Sequence, residues 1–313
     1  MHPETEALYT ILHSVYGDAV NAEMLEIKHF HNPHRPSTPV VITYQSDEPV
    51  GATAFLGMRL KLKDQILTVS QACDTAVIEK ARGRGFLSHI LRTEEHVSDA
   101  AFSIGLPNKK SFSRYLSSGW HEVVRLKQFA RFYPPLACTG NASSALEITL
   151  HRNCPFDEED FRLINAYVPV RFTRNTSFYQ WKQAYQPEPS LSYISCRKKG
   201  ALVGMLVVHR RNRLGLQVLI IDDWYMCPEI SDDKSETGSL SSLFNQMLSA
   251  LPDIPAILLV PFVNPDSPDY SFWKANGFFP IPGKEHPLIV SARGTDYPAF
   301  RTCCIRNIDS DVL

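Results

Sequence analysis

The sequence predicts a mixed α/β fold that occurs twice along the chain. Short β-rich runs alternate with helix-like stretches, and the same pattern restarts after a segment rich in Pro, Gly, Asn and Ser. The 313 residues suffice for two domains of ordinary size or one large domain. Hydrophobic residues make up 44% of the chain and charged residues 21%, a globular composition that excludes disorder, coiled coil and collagen.

The first half contains five predicted strands and two predicted helices. Segment 85–97 places apolar residues at helical spacing, and segment 109–118 ends before Gly119, a common stop signal for a helix. Strands followed by a strand–helix–strand–helix passage favour a mixed sheet. The predicted strands are 40–44, 50–56, 67–77, 101–106 and 122–132.

A segment without periodicity predicts a linker at 136–145, between an N-terminal domain at 1–135 and a C-terminal domain at 146–313. The strand and helix signals then recur in the same order. The second half has predicted strands at 191–196, 201–209, 216–226 and 257–262, and predicted helices at 240–251 and directly before Gly277.

Matches between the two halves predict an internal duplication of about 155 residues, far above the period of a solenoid. Chance matches between two α/β halves are the alternative interpretation. The matched pairs are Asn21 and Asn175, Lys28 and Lys182, Pro33 and Pro187, Val50 and Val203, Gly51 and Gly204, Asn108 and Asn264, and Gly119 and Gly277.

Charge and cysteine content exclude several classes of protein. Lys and Arg number 32 against 33 Asp and Glu, for a net charge of −1, which removes the general electrostatic case for a nucleic-acid partner. The seven cysteines lack CxxC spacing, so we expect no zinc site or redox pair and instead reduced thiols in the cytoplasm. We also expect neither a signal peptide nor a membrane span.

Segment 74–91 predicts an anion site. A β-rich run enters a turn that contains Gly83 and Gly85, and a helix begins directly afterwards. Glycines allow a tight turn and a close ligand, and a helix start offers free N–H groups and the positive end of its dipole. Arg82 and Arg84 add positive charge. The pattern suits a pyrophosphate, and an ordinary βα loop is the alternative.

This turn and a second segment, 108–120, together resemble the GNAT superfamily of acyl-CoA-dependent N-acyltransferases. In that family a strand leads into an Arg/Gln-x-x-Gly-x-Gly/Ala turn that binds the CoA pyrophosphate. Leu87 stands where the family usually has Gly or Ala. The other matching residues are Arg82, Gly83, Arg84, Gly85 and Phe86 in the first motif, and Asn108, Ser111, Tyr115, Gly119 and Trp120 in the second.

The resemblance implies both a fold and a cofactor site. The fold is two tandem GNAT-like domains, each with a mixed, mostly antiparallel sheet flanked by helices. The co-substrate is acetyl-CoA or another acyl-CoA, without a metal, and Tyr115 is the acid that protonates the departing thiolate. The implied cofactor-binding residues are Thr75, Ala76, Val77, Arg82, Gly83, Arg84, Gly85, Phe86, Leu87, Asn108 and Ser111.

The general base is less well determined by the resemblance. Asp74 lies where some amino-sugar members of the family carry a carboxylate, and it acts directly, through water, or only as a hydrogen-bond acceptor for neighbouring backbone. Gln71 takes the place of a Glu in histone-directed members but cannot take a proton. His29, His31 and His34 alternate without paired Cys or acidic ligands, which favours a loop near the acceptor pocket, or plain surface, over a metal site.

The second half departs from the family pattern in two places. Segment 228–239 is acidic where the glycine turn is expected, which is unfavourable for a pyrophosphate, and Trp273 replaces the counterpart of Tyr115. We therefore expect the C-terminal domain to lack the CoA site.

The predicted function is transfer of an acetyl group from CoA to a primary amine of a small molecule, such as an amino sugar, by direct attack. We expect no nucleic-acid partner. Three alternatives stay open: Fem-type aminoacyl transfer without CoA, acyl-CoA decarboxylation or loading of a carrier protein, and a catalytically silent GNAT-fold binding protein.

Overall fold

The computed structural model of the chain describes residues 2–97, 99–132, 146–166, 170–185, 191–213, 215–227, 240–255, 257–291 and 301–306. The described residues form a mixed sheet flanked by helices, which confirms the predicted fold class. None of the described helices is long and apolar enough to cross a membrane. The predicted linker and the acidic segment 228–239 lie outside the described residues.

The helices are α1 (Pro3–Tyr16), α2 (Ala22–Phe30), α3 (Phe86–Val97), α4 (Phe112–Ser117), α5 (Glu158–Ala166), α6 (Thr176–Tyr185), α7 (Leu240–Ser249) and α8 (Pro268–Ala275). The strands of the first half are β1 (Val40–Gln45), β2 (Glu48–Leu62), β3 (Gln65–Val77), β4 (Ser103–Gly105) and β5 (His121–Phe132). Those of the second half are β6 (Leu146–His151), β7 (Val170–Phe172), β8 (Ser192–Lys198), β9 (Ala201–Arg213), β10 (Leu216–Met226), β11 (Ile257–Val263) and β12 (Phe279–Val290).

The predicted strands and helices of both halves are present, and the structure contains several further elements that were not predicted from the sequence. Helix α1 begins where the His2 side chain accepts a hydrogen bond from the N–H of Glu4, with Pro3 in its first turn. Helix α2 begins where Asn21 caps the N–H of Met24 at 3.0 Å. The other unpredicted elements are α5, α6, β6, β7 and β12.

One sheet runs through both halves in the order β1-β2-β3-β4-β12-β5-β11-β10-β9-β8-β6, and β7 pairs with β2. The pairs β3–β4 and β10–β11 are parallel, and the other described pairs are antiparallel. The sheet is therefore mixed and mostly antiparallel. Its two parallel pairs lie at equivalent places in the two halves.

The last strand of each half is exchanged with the other half. Strand β12 pairs with β4 of the first half, and β5 pairs with β11 of the second half. The cores are shared in the same way: Phe129 of β5 packs among second-half residues, and Leu288 of β12 packs with Met58 and Leu60. The proposed domains are thus joined through a common sheet.

Matched residues of the proposed duplication have matching structural roles. Asn21 and Asn175 each cap the helix that follows them, and the Asn175 carboxamide oxygen accepts the N–H of Phe178 at 2.8 Å. Gly51 and Gly204 lie where a helix packs closely on a strand, because an added Cβ lies 3.1 Å from Ile90 Cδ1 at the first position and 2.7 Å from Met247 Sδ at the second. These correspondences support the duplication.

Candidate active site

A cavity of about 810 Å³ opens where β3 leads into the glycine turn and α3. Both sequence motifs contribute to its lining, together with Val15 and Tyr16 from the end of α1. Among the predicted catalytic and cofactor-binding residues, Arg84 alone is not part of the lining. The predicted residues in the lining are Asp74, Thr75, Ala76, Val77, Arg82, Gly83, Gly85, Phe86, Leu87, Asn108, Ser111 and Tyr115.

The turn requires glycine at positions 83 and 85 because of the backbone conformation there, and not because a side chain would lack room. Gly83 and Gly85 have φ values of +79° and +84°, and an added Cβ at either position meets nothing within 4 Å. Only glycine adopts such angles without strain. The turn leads into α3, whose first turn contains no acidic residue, so no carboxylate of that turn offsets the positive end of the helix dipole.

The two arginines of the turn have different positions. Arg82 lines the cavity, and its Nε donates to the Val77 carbonyl at 3.2 Å. The Arg84 guanidinium donates instead to Oε1 of Gln45 at 3.2 Å, away from the lining. Arg82 is therefore the better placed of the two to meet an anion in the cavity.

Asn108 organises the other wall of the cavity. Its side-chain oxygen accepts the N–H groups of Lys110 and Ser111 at 2.9 and 3.0 Å, which fixes the loop that leads into α4. Lys110 and Arg114 also line the cavity. Neither cationic side chain was predicted at the site, since a lysine in a turn and an arginine on a short helix give no distinguishing signal.

Tyr115 is buried, at 4% exposure, and its ring packs edge-on against Trp120. Its hydroxyl and Thr75 Oγ1 are hydrogen-bonded at 3.2 Å, and either hydroxyl can donate. The phenol therefore lies beside segment 75–77 of β3, the strand segment that the family resemblance assigns to the acyl-bearing arm of CoA. This brings the two motifs together at one point of the cavity.

Asp74 lies in a β-bulge of β3. On either side of the bulge, Cys73 pairs with Ala54 and Ala76 pairs with Ala52. Asp74 and Thr75 of β3 therefore both lie opposite the single residue Thr53 of β2. The φ of Asp74 is +43°, an uncommon conformation for a residue other than glycine, and such strain concentrates at functional sites.

Two buried side chains of α2 hold the Asp74 carboxylate. Lys28 Nζ and His29 Nε2 lie 2.6 and 2.8 Å from the same oxygen, Oδ2. Burial by itself raises the pKa of Asp74, but the Lys28 ammonium and the His29 ring outweigh burial and hold this pKa well below its usual range. Asp74 is therefore ionised at neutral pH and is a weak proton acceptor.

His29 corrects one expectation from the sequence. It lies in α2 rather than in a loop and is fully buried, whereas His31 is exposed and His34 is half-buried. The loop position expected for this histidine group, near the acceptor pocket or on the surface, is thus wrong for His29, although His29 contacts Asp74 of the cavity lining. The reason is that α2 packs His29 against the bulge of β3, a long-range contact with no local sequence signal.

The ligand-type atoms of His29, Cys73 and Asp74 lie within 4.8 Å of one another. The Lys28 ammonium already contacts the Asp74 carboxylate at 2.6 Å, and a metal cation at this position would be repelled by that charge. The absence of a metal stays a prediction.

Gln71 and Tyr16 complete the part of the cavity near Asp74. Gln71 is 1% exposed, and its Oε1 has no hydrogen-bond partner among the described residues. Burial, and then the Asp74 charge, raise the pKa of Tyr16, so this phenol stays protonated at neutral pH.

The second half has a residue at the position equivalent to Tyr115, but that residue cannot act as an acid. Trp273 takes the position of Tyr115, because the N–H of Phe278 donates to the Trp273 carbonyl as that of Trp120 donates to Tyr115. The indole carries no hydroxyl and is fully buried. Asp223 of β10 is likewise buried, and its Oδ2 accepts from Arg174 at 2.6 Å and from Tyr179 at 2.7 Å.

Comparisons with known proteins concern the family of the N-terminal part of the chain and the fold. Residues 2–123 match the family model of the acetyltransferase (GNAT) domain, which confirms the resemblance inferred from the motifs for this part of the chain. No curated protein matches the chain.

Three solved structures share the fold over most of the chain at 11% identity each. A GCN5-related N-acetyltransferase from Anabaena variabilis ATCC 29413 has a TM-score of 0.67, with coverage of 95% of this chain and 72% of that one. A conserved protein of unknown function from Enterococcus faecalis V583, described as a probable N-acyltransferase, has a TM-score of 0.61, with coverage of 92% of this chain and 70% of that one. A GCN5-related N-acetyltransferase from Kribbella flavida has a TM-score of 0.59, with coverage of 94% of this chain and 70% of that one. At this identity the likeness establishes the fold alone.

Proposed function

We propose that this chain, with its GNAT fold, is an acyl-CoA-dependent N-acyltransferase that transfers an acetyl group from acetyl-CoA to a primary amine of a small molecule. The observation that carries the proposal is the convergence of both motifs on one cavity, where the Tyr115 hydroxyl lies 3.2 Å from Thr75. An acyl donor and an acid for its leaving group are both needed at such a point.

The cofactor is proposed to bind along β3 and over the glycine turn. Thr75, Ala76 and Val77 supply backbone groups for the pantetheine arm, and the turn with the start of α3 supplies N–H groups for the pyrophosphate. Arg82 adds a fixed positive charge in the lining. Asn108 and Ser111 shape the opposite wall.

The reaction follows from this placement. The amine nitrogen attacks the thioester carbonyl carbon, the carbon–sulfur bond breaks, and the sulfur leaves with the bonding electrons. Tyr115 gives its phenolic proton to that thiolate and regains one from solvent. The nitrogen loses one proton as the amide forms, so the proton that the nitrogen loses balances the one that the thiol gains.

Asp74 is proposed to bind and orient the amine rather than to hold its proton. A carboxyl whose pKa is lowered by Lys28 and His29 is a poor base at neutral pH. The amine is therefore expected to lose its ammonium proton to water before it attacks. The rate then depends on pH through the pKa of the amine.

The second half is proposed to complete the fold of the first rather than to bind CoA. The boundaries 1–135, 136–145 and 146–313 remain our proposal for the domains, with β5 and β12 exchanged between them. The described cysteines are free thiols, in keeping with the proposed cytoplasmic location.

A thiol-release assay tests the proposal. Purified protein is mixed with acetyl-CoA and a panel of primary amines that includes glucosamine, and free CoA and the acetylated product are both measured. The proposal expects stoichiometric CoA and amide. Acetyl-CoA binding without product from any amine would favour a silent binding protein. Conversion of malonyl-CoA to acetyl-CoA and carbon dioxide would favour the decarboxylase, and no binding of acyl-CoA would favour Fem-type transfer.

A further inference from the structure

Two hydrogen-bond acceptors near the bulge of β3 lack partners among the described residues. One is Oε1 of the buried Gln71. The other is Oδ1 of Asp74, because Lys28 and His29 both contact Oδ2 of that carboxylate. Both residues line the same cavity. Gln71 Oε1 is a buried acceptor, which costs stability while it is unpaired, whereas the Asp74 side chain is 21% exposed and open to a ligand. The two acceptors together point to a ligand that carries N–H or O–H donors.

The bulge explains why both residues reach one cavity. In a regular strand, residues 71 and 74 lie on opposite faces, because side chains alternate. The extra residue at Asp74 shifts this alternation by one position and brings the carboxylate to the face of Gln71. The strained φ of +43° at Asp74 belongs to the same feature.

Lys28 and His29 fix the orientation of the pair. Both side chains are buried, and both belong to α2. Their N–H groups engage Oδ2, so the carboxylate cannot rotate without losing two charge-assisted hydrogen bonds. Oδ1 is thereby left as an ionised acceptor in the cavity. Lys28 and His29 act through Asp74 and are positioning residues.

We propose that Gln71 Oε1 and Asp74 Oδ1 form an amine-recognition pair that selects primary amines as acceptors; this inference rests on the proposed function. A neutral primary amine carries two N–H donors and one lone pair. Two acceptors take up the two N–H groups and leave the lone pair free to attack the thioester. A neutral secondary amine offers a single N–H and an alcohol a single O–H, and each leaves one of the two acceptors unpaired.

The first test compares glucosamine with its N-methyl analogue, 2-deoxy-2-(methylamino)glucose, at saturating acetyl-CoA. We expect the wild type to lose at least about tenfold in kcat/KM on N-methylation. In Gln71→Leu, the kcat/KM for glucosamine falls while that for the analogue changes little, so the discrimination collapses. Equal use of both amines by the wild type, or an unchanged ratio in Gln71→Leu, would overturn the inference.

The second test needs no turnover. Leu resembles Gln in size and carries no polar atom, so Gln71→Leu removes the unpaired acceptor without opening a cavity. We expect a higher urea midpoint of unfolding with an unchanged affinity for acetyl-CoA. A lower midpoint at unchanged acetyl-CoA affinity would mean that Gln71 is a structural residue, and would overturn the inference. Binding of acetyl-CoA without acetylation of any amine contradicts the proposed function instead.

Substitutions on α2 test the positioning role. Lys28→Met and His29→Leu remove the donors to Oδ2, whereas Lys28→Arg and His29→Gln keep an N–H within reach. We expect the first pair to raise KM for glucosamine and lower kcat, with acetyl-CoA affinity retained, and the second pair to restore most of both parameters. Equal defects in conservative and non-conservative variants would contradict the positioning role.

Discussion

The hydroxyl of Tyr115 lies 3.2 Å from Oγ1 of Thr75, so a side chain of α4 is joined by a hydrogen bond to the strand proposed to bind the acyl arm of CoA. This contact connects the two sequence motifs, which are 40 residues apart at these positions. The hydrogen bond places the proposed acid, Tyr115, beside β3, so removal of the Tyr115 hydroxyl is a direct test of its role.

Replacing Tyr115 by Phe removes the proposed acid and keeps the packing of the ring on Trp120. We expect kcat to fall by about 10²-fold, as is typical of a positioned acid, with the acetyl-CoA affinity retained. Steady-state thiol release and calorimetry measure the two quantities. Tyr44→Phe, at an exposed position, is the control and should behave as the wild type. An unchanged kcat in Tyr115→Phe would remove this residue from the mechanism.

Asp74→Asn is expected to remove the fixed negative charge from the cavity. The carboxamide oxygen then turns toward the donors Lys28 and His29, and the amide NH₂ replaces an acceptor with a donor on the cavity side. We expect kcat/KM for the amine to fall by about 10 to 10²-fold. Thiol release with an accepted amine measures the loss. A wild-type value would show that Asp74 plays no part in binding the acceptor.

The same carboxylate gives a pH dependence of stability. Lys28 and His29 of α2, with Tyr16 at the end of α1, face Asp74, and the net effect is a pKa below the unfolded value of about 3.9. A lowered folded pKa contributes stability above the unfolded pKa, which is lost as the pH falls through the folded pKa. The difference in unfolding free energy between wild type and Asp74→Asn should shrink as the pH falls below about pH 4. A difference that grows toward acid would contradict the ion pairing.

Gly83→Ala tests the glycine turn. Its φ of +79° strains an alanine by about 1 kcal/mol although space is open, and a shifted turn should weaken acetyl-CoA binding. Gly283→Ala is a matched control, because Gly283 has a φ of +71° and open space but does not line the cavity. Both variants should lose similar stability, and only Gly83→Ala should lose affinity. Equal affinities in the two variants would contradict a binding role for the turn.

The exchanged strands predict that residues 1–135 do not fold alone. Strand β12 lies between β4 and β5, and its Leu288 and Val290 pack in the core of the first half. The isolated segment loses this strand and exposes that core. We expect no cooperative thermal unfolding of 1–135, and recovery when 146–313 is co-expressed. A cooperative transition in the isolated segment would show that the exchange is dispensable.

Features of the site that depend on residues close together in the chain could be predicted from the sequence, whereas contacts between distant residues could not. The glycine turn, the Asn108 loop and Tyr115 were all predictable because each depends on residues close together in the chain. The contacts of Asp74 with Lys28 and His29 span 46 and 45 residues, and no local periodicity reports such pairs. One signal was present: Lys28 recurs as Lys182, and both lysines are buried.

The strand exchange was also beyond sequence analysis. The last strands of the two halves have similar neighbours available, and the sequence of β5 does not say whether it joins β4 or β11. Register and partner choice are set by the packing of the whole sheet. The sequence therefore predicted a mixed sheet flanked by helices, and the structure supplied the remaining elements and how the halves join.

The most direct test of the central claim is calorimetric titration of acetyl-CoA into the wild type, Arg82→Glu and Arg84→Glu. The cavity lining contains Arg82, whereas Arg84 is hydrogen-bonded to Gln45. We predict a micromolar Kd for the wild type, loss of detectable binding in Arg82→Glu, and a smaller loss in Arg84→Glu. Absence of binding by the wild type, or equal losses in the two variants, would contradict the assignment of this cavity to acyl-CoA.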